Sequence, residues 1–257
     1  MTVKRMPTLF VGHGSPMNAI EENLFVQGWK EIANQFDQPK AILVISAHWV
    51  THGTRINNAL KPKQIYDMFG FPDELYQLVY ACAGSSELAN HTIELLNQGI
   101  NIDNTWGIDH GVWSVLCKMY PKANIPVVQL SIDRNASADE HYQLGKKLSQ
   151  LRNEGVLILG SGNVVHNLSR INWDMENGFP WAEEFDQYIF ENIKNDKHDN
   201  VINYKLAGKS SELAFFTTEH FYPLLYVLGA SNKEDTLSVF NRSCLMGSMS
   251  MTCYLFK

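Results

Sequence analysis

Ala41-Ile-Leu-Val-Ile-Ser-Ala-His-Trp49 is the stretch on which the fold turns. Five apolar residues in a row, followed at once by Ser, Ala and His, read as a strand buried on both faces whose carboxyl end opens into a polar segment. A strand with one wet face would alternate, and this one does not. Working outward, Pro7-Thr-Leu-Phe-Val11, Pro126-Val-Val-Gln-Leu130 and Val156-Leu-Ile-Leu159 repeat the pattern. Between these runs, residues 17–36, 85–97, 111–119, 138–153, 181–194 and 219–228 carry apolar residues at helical spacing, several behind a Ser, Asp or Thr start signal. The alternation predicts the α/β class: a single domain over residues 1–257, its central, mostly parallel sheet covered by helices. Residues 246–256 alternate as a last, antiparallel strand, with Met249, Met251 and Cys253 as packing residues. Residues 52–72 and 195–212 read as long loops.

The 257 residues suffice for a substantial core, and the formal net charge of -6 argues against a nucleic-acid or anionic-membrane surface. The expected partner is a small molecule. Four cysteines without a CxxC pair, an N-terminus without a long apolar stretch and the lack of any run of about 18 apolar residues predict a reduced, cytoplasmic protein. Oligomeric state is not legible, because an apolar helix face packs equally well on the core or on a second subunit.

Histidine supplies the chemistry. Five of the nine histidines fall in Gly-rich or helix-opening contexts: Gly-His13-Gly-Ser-Pro, Ser-Ala-His48-Trp, Asp-His110-Gly, Val-Val-His166-Asn and Glu-His220-Phe. His13, His48 and His166 follow predicted strands, which puts three imidazoles at the carboxyl ends of a parallel sheet, where open α/β sheets bind their ligands. Gly12, Gly14, Gly160 and Gly162 flank them and permit close backbone approach. Imidazole is the commonest protein ligand for transition metals, so a metal site is the leading expectation, with His13 and His48 as ligand candidates. His110 and His166 are acid/base candidates, and His166 is also a possible ligand. His220 stays ambiguous, since Thr217-Thr-Glu-His220 also suits a plain helix start. His52, His91, His141 and His198 lack such context and read as solvated. Gly160-Ser-Gly-Asn163 is no dinucleotide fingerprint, and neither a phosphate loop, a GxSxG elbow nor an HExxH motif occurs.

Gly12-His-Gly-Ser-Pro-Met17, Ile45-Ser-Ala-His-Trp49, Gly107-Ile-Asp-His-Gly-Val-Trp113, Gly160-Ser-Gly-Asn-Val-Val-His-Asn-Leu168, Glu219-His-Phe-Tyr-Pro-Leu-Leu225 and Met246-Gly-Ser-Met-Ser-Met251 together resemble the 4,5-DOPA extradiol dioxygenase group of the class III (LigB-type) extradiol ring-cleavage dioxygenases. The resemblance runs from about residue 7 to about residue 254. It implies an Fe(II) enzyme acting on a catechol and O2 to give a ring-opened semialdehyde, with His13, His48 and His220 holding the metal where the wider superfamily uses two His and a carboxylate. It also implies that Zn(II) is accepted, with His166 as an extra ligand, and that His110 and His166 move protons. Ser15, Trp49 and Asn163 adjoin these residues as pocket neighbours, and Asp109 either orients His110 or caps the following helix. No Arg or Lys is assigned to a substrate carboxylate; Arg134, Lys205 and Arg242 are the basic residues weighed for it, and each reads rather as a solvated surface residue. Two alternatives share the same residues: a zinc-dependent hydrolase of small molecules and a non-enzymatic relative that binds metal or peptide.

Overall fold

Ile42 and Val44 join the core on one side of the sheet and Leu43 and Ile45 the core on the other, each fully buried. That double burial is the reason for the unbroken apolar run. The computed structural model of the chain describes residues 5–97 and 99–257. Its strands are β1 (Thr8–Gly12), β2 (Ala41–Thr51), β3 (Arg55–Ile56), β4 (Asn101–Ile102), β5 (Val127–Asp133), β6 (Val156–Gly162), β7 (Leu237–Phe240), β8 (Cys244–Leu245), β9 (Met249–Ser250) and β10 (Cys253–Phe256). Eight form one sheet in the order β4-β3-β5-β2-β6-β1-β10-β7, and β8 and β9 pair separately. The centre, β5-β2-β6-β1, is parallel, so its carboxyl ends share one edge. β10 runs antiparallel between β1 and β7, beside the sheet centre.

The helices are α1 (Leu24–Ala33), α2 (Asp73–Gln77), α3 (Ser86–Leu96), α4 (His110–Met119), α5 (Ala138–Leu148), α6 (Pro180–Lys194), α7 (His198–Ile202), α8 (Lys209–Leu213) and α9 (Tyr222–Ala230). Trp29 and Ile32 of α1 and Val112, Trp113 and Leu116 of α4 cover one face. The other face is covered by Leu144 and Leu148 of α5, Phe185 and Ile189 of α6, and Leu224 and Leu228 of α9. Of the expected start signals, Ser85 accepts from the Leu88 amide and Ser137 with Glu140 forms a capping box, whereas Asp109 and Thr217 make no side-chain cap. Arg152, fully buried, donates to both carboxylate oxygens of Asp235 at 2.6 and 2.9 Å and to the carbonyls of Met6 and Ala230. With its donors used, this buried pair ties the chain before β1 to the segment after α9.

Four local expectations are revised. Residues 17–36 are not one helix: a 3-10 turn over Pro16–Ala19 precedes α1, and Asn23 starts the helix afresh. Residues 195–212 are not a loop but hold α7, a 3-10 turn and α8. β2 does not end before His48; it runs on to Thr51 through a register shift between Ile45 and Val50, and His48 sits in that irregular stretch. A bulge re-aims side chains without ending the strand. His141 is not solvated: it is fully buried between α5 and α9, with Nδ1 3.0 Å from the Tyr226 hydroxyl and its ring 4.5 Å from that of Tyr222.

Burial pushes the His141 imidazole down to about 4, against the raising effect of Asp133. The unfolded chain, with an ordinary histidine near 6.5, binds more protons between these values. The contribution of neutral His141 is therefore complete above about pH 6.5 and lost as pH falls through the window to about 4. His141→Phe is expected to flatten the dependence of metal-free stability on pH across this window by up to about 1.4 kcal/mol per pH unit. Urea unfolding at pH 7, 6, 5 and 4.5 reads the slope, and equal slopes for variant and parent would contradict the assignment.

Candidate metal centre

Each of the five histidines singled out above reaches the same cleft from a different element. His13 follows β1, its amide donating to the Gly162 carbonyl at 3.1 Å. His48 projects from the irregular part of β2, and His110 is the first residue of α4. His166 follows β6, its amide bonded to the Ala214 carbonyl at 2.8 Å, and His220 closes the 3-10 turn Thr218–His220 before α9. All five line one cavity of about 430 Å³ at the carboxyl ends of the parallel strands. Two glycines make the convergence possible. A Cβ on Gly162 would sit 2.1 Å from the His220 carbonyl oxygen, and one on Gly111 would sit 2.9 Å from His48 Cδ2, so the backbone beneath both rings exists only with hydrogen there.

The Nε2 atoms of His13 and His48 lie 3.1 Å apart. On the far side of each ring a protein group faces Nδ1: Ser161 Oγ at 3.0 Å for His13 and Asp67 Oδ2 at 3.3 Å for His48. The Ser161 hydroxyl already donates to the Gly111 carbonyl, so it accepts from His13 Nδ1–H. The Asp67 carboxylate stands at ion-pair distance from His48 Nδ1 and favours the proton on that nitrogen. Both Nε2 lone pairs are thus left free and face each other, an arrangement that repels unless a cation lies between them. Two imidazole nitrogens on one metal ion, each about 2.1 Å from it, stand about 3 Å apart. His220 follows the same plan, with Nδ1 3.4 Å from Glu219 Oε1 and a buried Nε2 without a protein partner. His110 Nδ1 lies 3.1 Å from Asp67 Oδ2, off the line of a hydrogen bond, while its amide donates to Asp67 Oδ1 at 2.9 Å. The tightest set of candidate ligand atoms among the described residues belongs to His13, His48 and His110, all within 4.8 Å of one another. His166 stacks on His220 with centroids 3.5 Å apart and planes within 5°.

Burial, reinforced by the neighbouring imidazoles, holds His13, His48 and His220 well below the ordinary histidine value, and brings His166 down to about 4. At neutral pH these four rings are neutral and able to ligate. Burial raises Asp67, but His110 and His48 outweigh it and keep the carboxyl below its usual range, ionised. Asp109 neither orients His110 nor caps α4: its carboxylate accepts from Ser46, Gln129 and Trp106, and burial with the charge of Asp67 pushes it up to about 6.

Other expectations sort by position. Ser15 lines the cavity. Asn163 is buried behind it, bonding the carbonyls of Ser250 and, through its amide, His220. Trp49 turns away to stack on Trp106. Met249, read as packing only, is also part of the cavity wall. Asp67, Phe69 and Trp173 went unnoticed, because they sit in irregular segments with no periodic signal.

Fold and site define the class: an α/β protein with one histidine-lined pocket able to hold a metal. Residues 7–253 match the family described as the catalytic LigB subunit of aromatic ring-opening dioxygenase, and the chain belongs to that family. It is thereby an oxidoreductase, which sets aside both the hydrolase and the binding-only alternatives. It is 43% identical over 258 residues to the 4,5-DOPA dioxygenase extradiol of Escherichia coli (strain K12), covering 98% of this chain and 94% of that protein. The 4,5-DOPA dioxygenase extradiol of Beta vulgaris is 38% identical, with 97% and 96% covered. The crystal structure of an uncharacterized protein from Escherichia coli K12 superposes with a TM-score of 0.86 at 40% identity, covering 98% of this chain and 100% of that one. Among the described residues no helix is long and apolar enough to cross a membrane, and the four cysteines are free.

Gly162→Ala is expected to displace the turn that carries His220 and to lower the unfolding free energy by on the order of 1–3 kcal/mol. Urea titration measures this, and an unchanged midpoint would mean that the close approach is not a constraint.

Proposed function

We propose that the chain is a metal-dependent extradiol dioxygenase that cleaves a catechol such as DOPA to a ring-opened semialdehyde, taking up both atoms of O2. The observation that carries the metal is the pair of Nε2 lone pairs of His13 and His48 facing each other at 3.1 Å. The names of the relatives support the substrate. Fe(II) is the working metal, and Zn(II), which neutral imidazoles accept equally well, occupies the same ligands without redox chemistry.

His13, His48 and His220 are the ligands, because each has Nδ1 turned to a protein acceptor and Nε2 toward the cavity, the arrangement by which a second sphere orients metal-bound imidazole. His166 is the less suitable ligand. Its plane is parallel to that of His220 and 3.5 Å away, so an ion in the plane of one ring lies off the lone-pair direction of the other. The bound metal would chelate the diol and relay electrons from ring to O2.

The remaining steps belong to the protein. His166 is neutral at pH 7 and stacks on His220, and His110 lies beside His48 and Asp67; these two accept the proton of a diol hydroxyl and return one as the ring opens. Asp67, ionised, faces the Nδ1 atoms of both His48 and His110. The apolar wall formed by Met68, Phe71 and Met249 receives the aromatic ring and limits water.

Metal-stripped protein reconstituted with Fe(II) is expected to consume one O2 per DOPA with a yellow product, while the Zn(II) form and a His48→Ala control do neither. No uptake with DOPA or simple catechol at one Fe(II) per chain would overturn the reading. His110→Ala and His166→Ala are expected to keep the metal and lose on the order of 10²–10⁴ in kcat. His220→Ala should lose the metal. The reverse result, retention in His220→Ala and loss in His110→Ala, would assign the third ligand to His110.

A further inference from the structure

The charged carboxylates around the cleft differ in what remains free. Asp67 is committed on both oxygens: Oδ1 to the His110 amide, Oδ2 to the His48 and His110 rings. Glu219 is partly exposed, 27% at its side chain, and meets His220 through Oε1 alone at 3.4 Å. Its Oε2 has no hydrogen-bond or ion-pair partner among the described residues. No Lys or Arg is among the described residues lining the cavity.

None of the three basic residues weighed for a substrate carboxylate lines the histidine cavity. Arg134 borders an adjoining cavity of about 550 Å³ with Tyr222, and Glu219 lines both that cavity and the histidine one. Lys205 borders another, with Phe216. Arg242 lies 4.0 Å over the Phe190 ring and 3.5 Å from Asp186. The outer wall of the histidine cavity is instead aromatic: Phe69 and Trp173 line it while 91% and 73% exposed, far more than packing requires. An aromatic face attracts a cation through its quadrupole and offers an anion nothing.

We propose that this pocket selects catechols by a positively charged side chain: Glu219 Oε2 and the faces of Trp173 and Phe69 form a subsite for an ammonium group, and the pocket does not read a carboxylate. The proposal rests on the ring-cleavage reading and narrows it. A catechol ethylamine or an amino-acid catechol is the preferred class, the amine being the recognised group in both. Catechols whose side chain carries only a carboxylate are disfavoured, because that charge would be desolvated against Glu219 without a partner.

The test uses dopamine, DOPA, 4-methylcatechol and 3,4-dihydroxyphenylpropanoate with the Fe(II)-reconstituted full chain. Anaerobic binding is followed by tryptophan fluorescence and calorimetry, then O2 uptake gives kcat/KM. Dopamine is expected to exceed 4-methylcatechol, and 4-methylcatechol the propanoate, by about tenfold per step in both measurements. Glu219→Gln and Trp173→Ala should each narrow the dopamine-to-propanoate ratio by about tenfold. A ratio is read so that any general loss from disturbing His220 cancels. Arg134→Ala should leave the DOPA-to-dopamine ratio unchanged.

Equal or better binding of the propanoate, or a collapse of DOPA relative to dopamine in Arg134→Ala, would overturn the subsite. Turnover of every catechol without charge preference would sink the subsite and leave ring cleavage standing. Charge-selective anaerobic binding with no O2 uptake would do the opposite.

Discussion

The site exists because five imidazoles are crowded into one desolvated cleft, and for His13, His48, His166 and His220 that crowding is tolerable only while the rings are neutral. The ring centroids of His13 and His48 are 5.0 Å apart, and those of His13 and His220 5.3 Å. Two unit charges at this separation repel by about 3 kcal/mol at an effective dielectric constant near 20, before any cost of burial. These four rings therefore shed their protons, and shedding them creates lone pairs. A group of neutral rings with Nδ1 tied back to Ser161, Asp67 and Glu219 has its remaining nitrogens turned toward a common space. The same physics that makes the cleft hostile to protons makes it receptive to a cation able to share several ligands at once.

Holding such rings in place requires backbone rather than side-chain flexibility, which explains where the glycines are. The carboxyl edge of β1 and β6 brings His13 and the Gly162 carbonyl together, and the missing side chain at Gly162 lets the turn before α9 lie directly on β6. His48 is delivered differently, by a register shift inside β2 that re-aims it without ending the strand. The buried apolar faces on both sides of the sheet supply the rigidity against which these local irregularities are held.

Much of this was readable from the chain alone. Unbroken apolar runs ending at Gly, Ser or His identified the central strands, their double cover and the edge at which the site lies. His13, His48 and His166 stood out at strand ends and His110 beside a glycine, whereas His220 was ambiguous from its neighbours and was singled out as a ligand only by the family resemblance. What lacked such a signal was misjudged or missed. His141 falls on a helix face, and only the packing of α5 on α9 reveals that this face is buried against Tyr226. Asp67 lies in an irregular segment far in sequence from His48 and His110, so its contacts depend on how a long loop closes, which no periodicity encodes. Asp109 reads as a cap because it precedes a helix, yet its oxygens are taken by Ser46, Gln129 and Trp106 from two strands and a loop.

The cleft is divided along its depth, and the division follows from what each end must exclude. Its floor is polar, closed and backed by acceptors, so a group entering it must bring charge or hydrogen bonds that suit neutral imidazole: a metal ion, and the adjacent oxygens of a diol bound to it. Its wall at Met68, Phe71 and Met249 has no such demands and suits the flat, apolar body of an aromatic ring. Under the proposed function, a ring whose diol occupied the floor would be held edge-in, with substituents opposite the diol toward Phe69 and Trp173, which stand exposed. Chemistry and selectivity are thus separated in space. Under the proposed ring-cleavage function, the histidines and Asp67 would meet the part of the substrate that all catechols share, and Phe69 and Trp173 the part in which they differ.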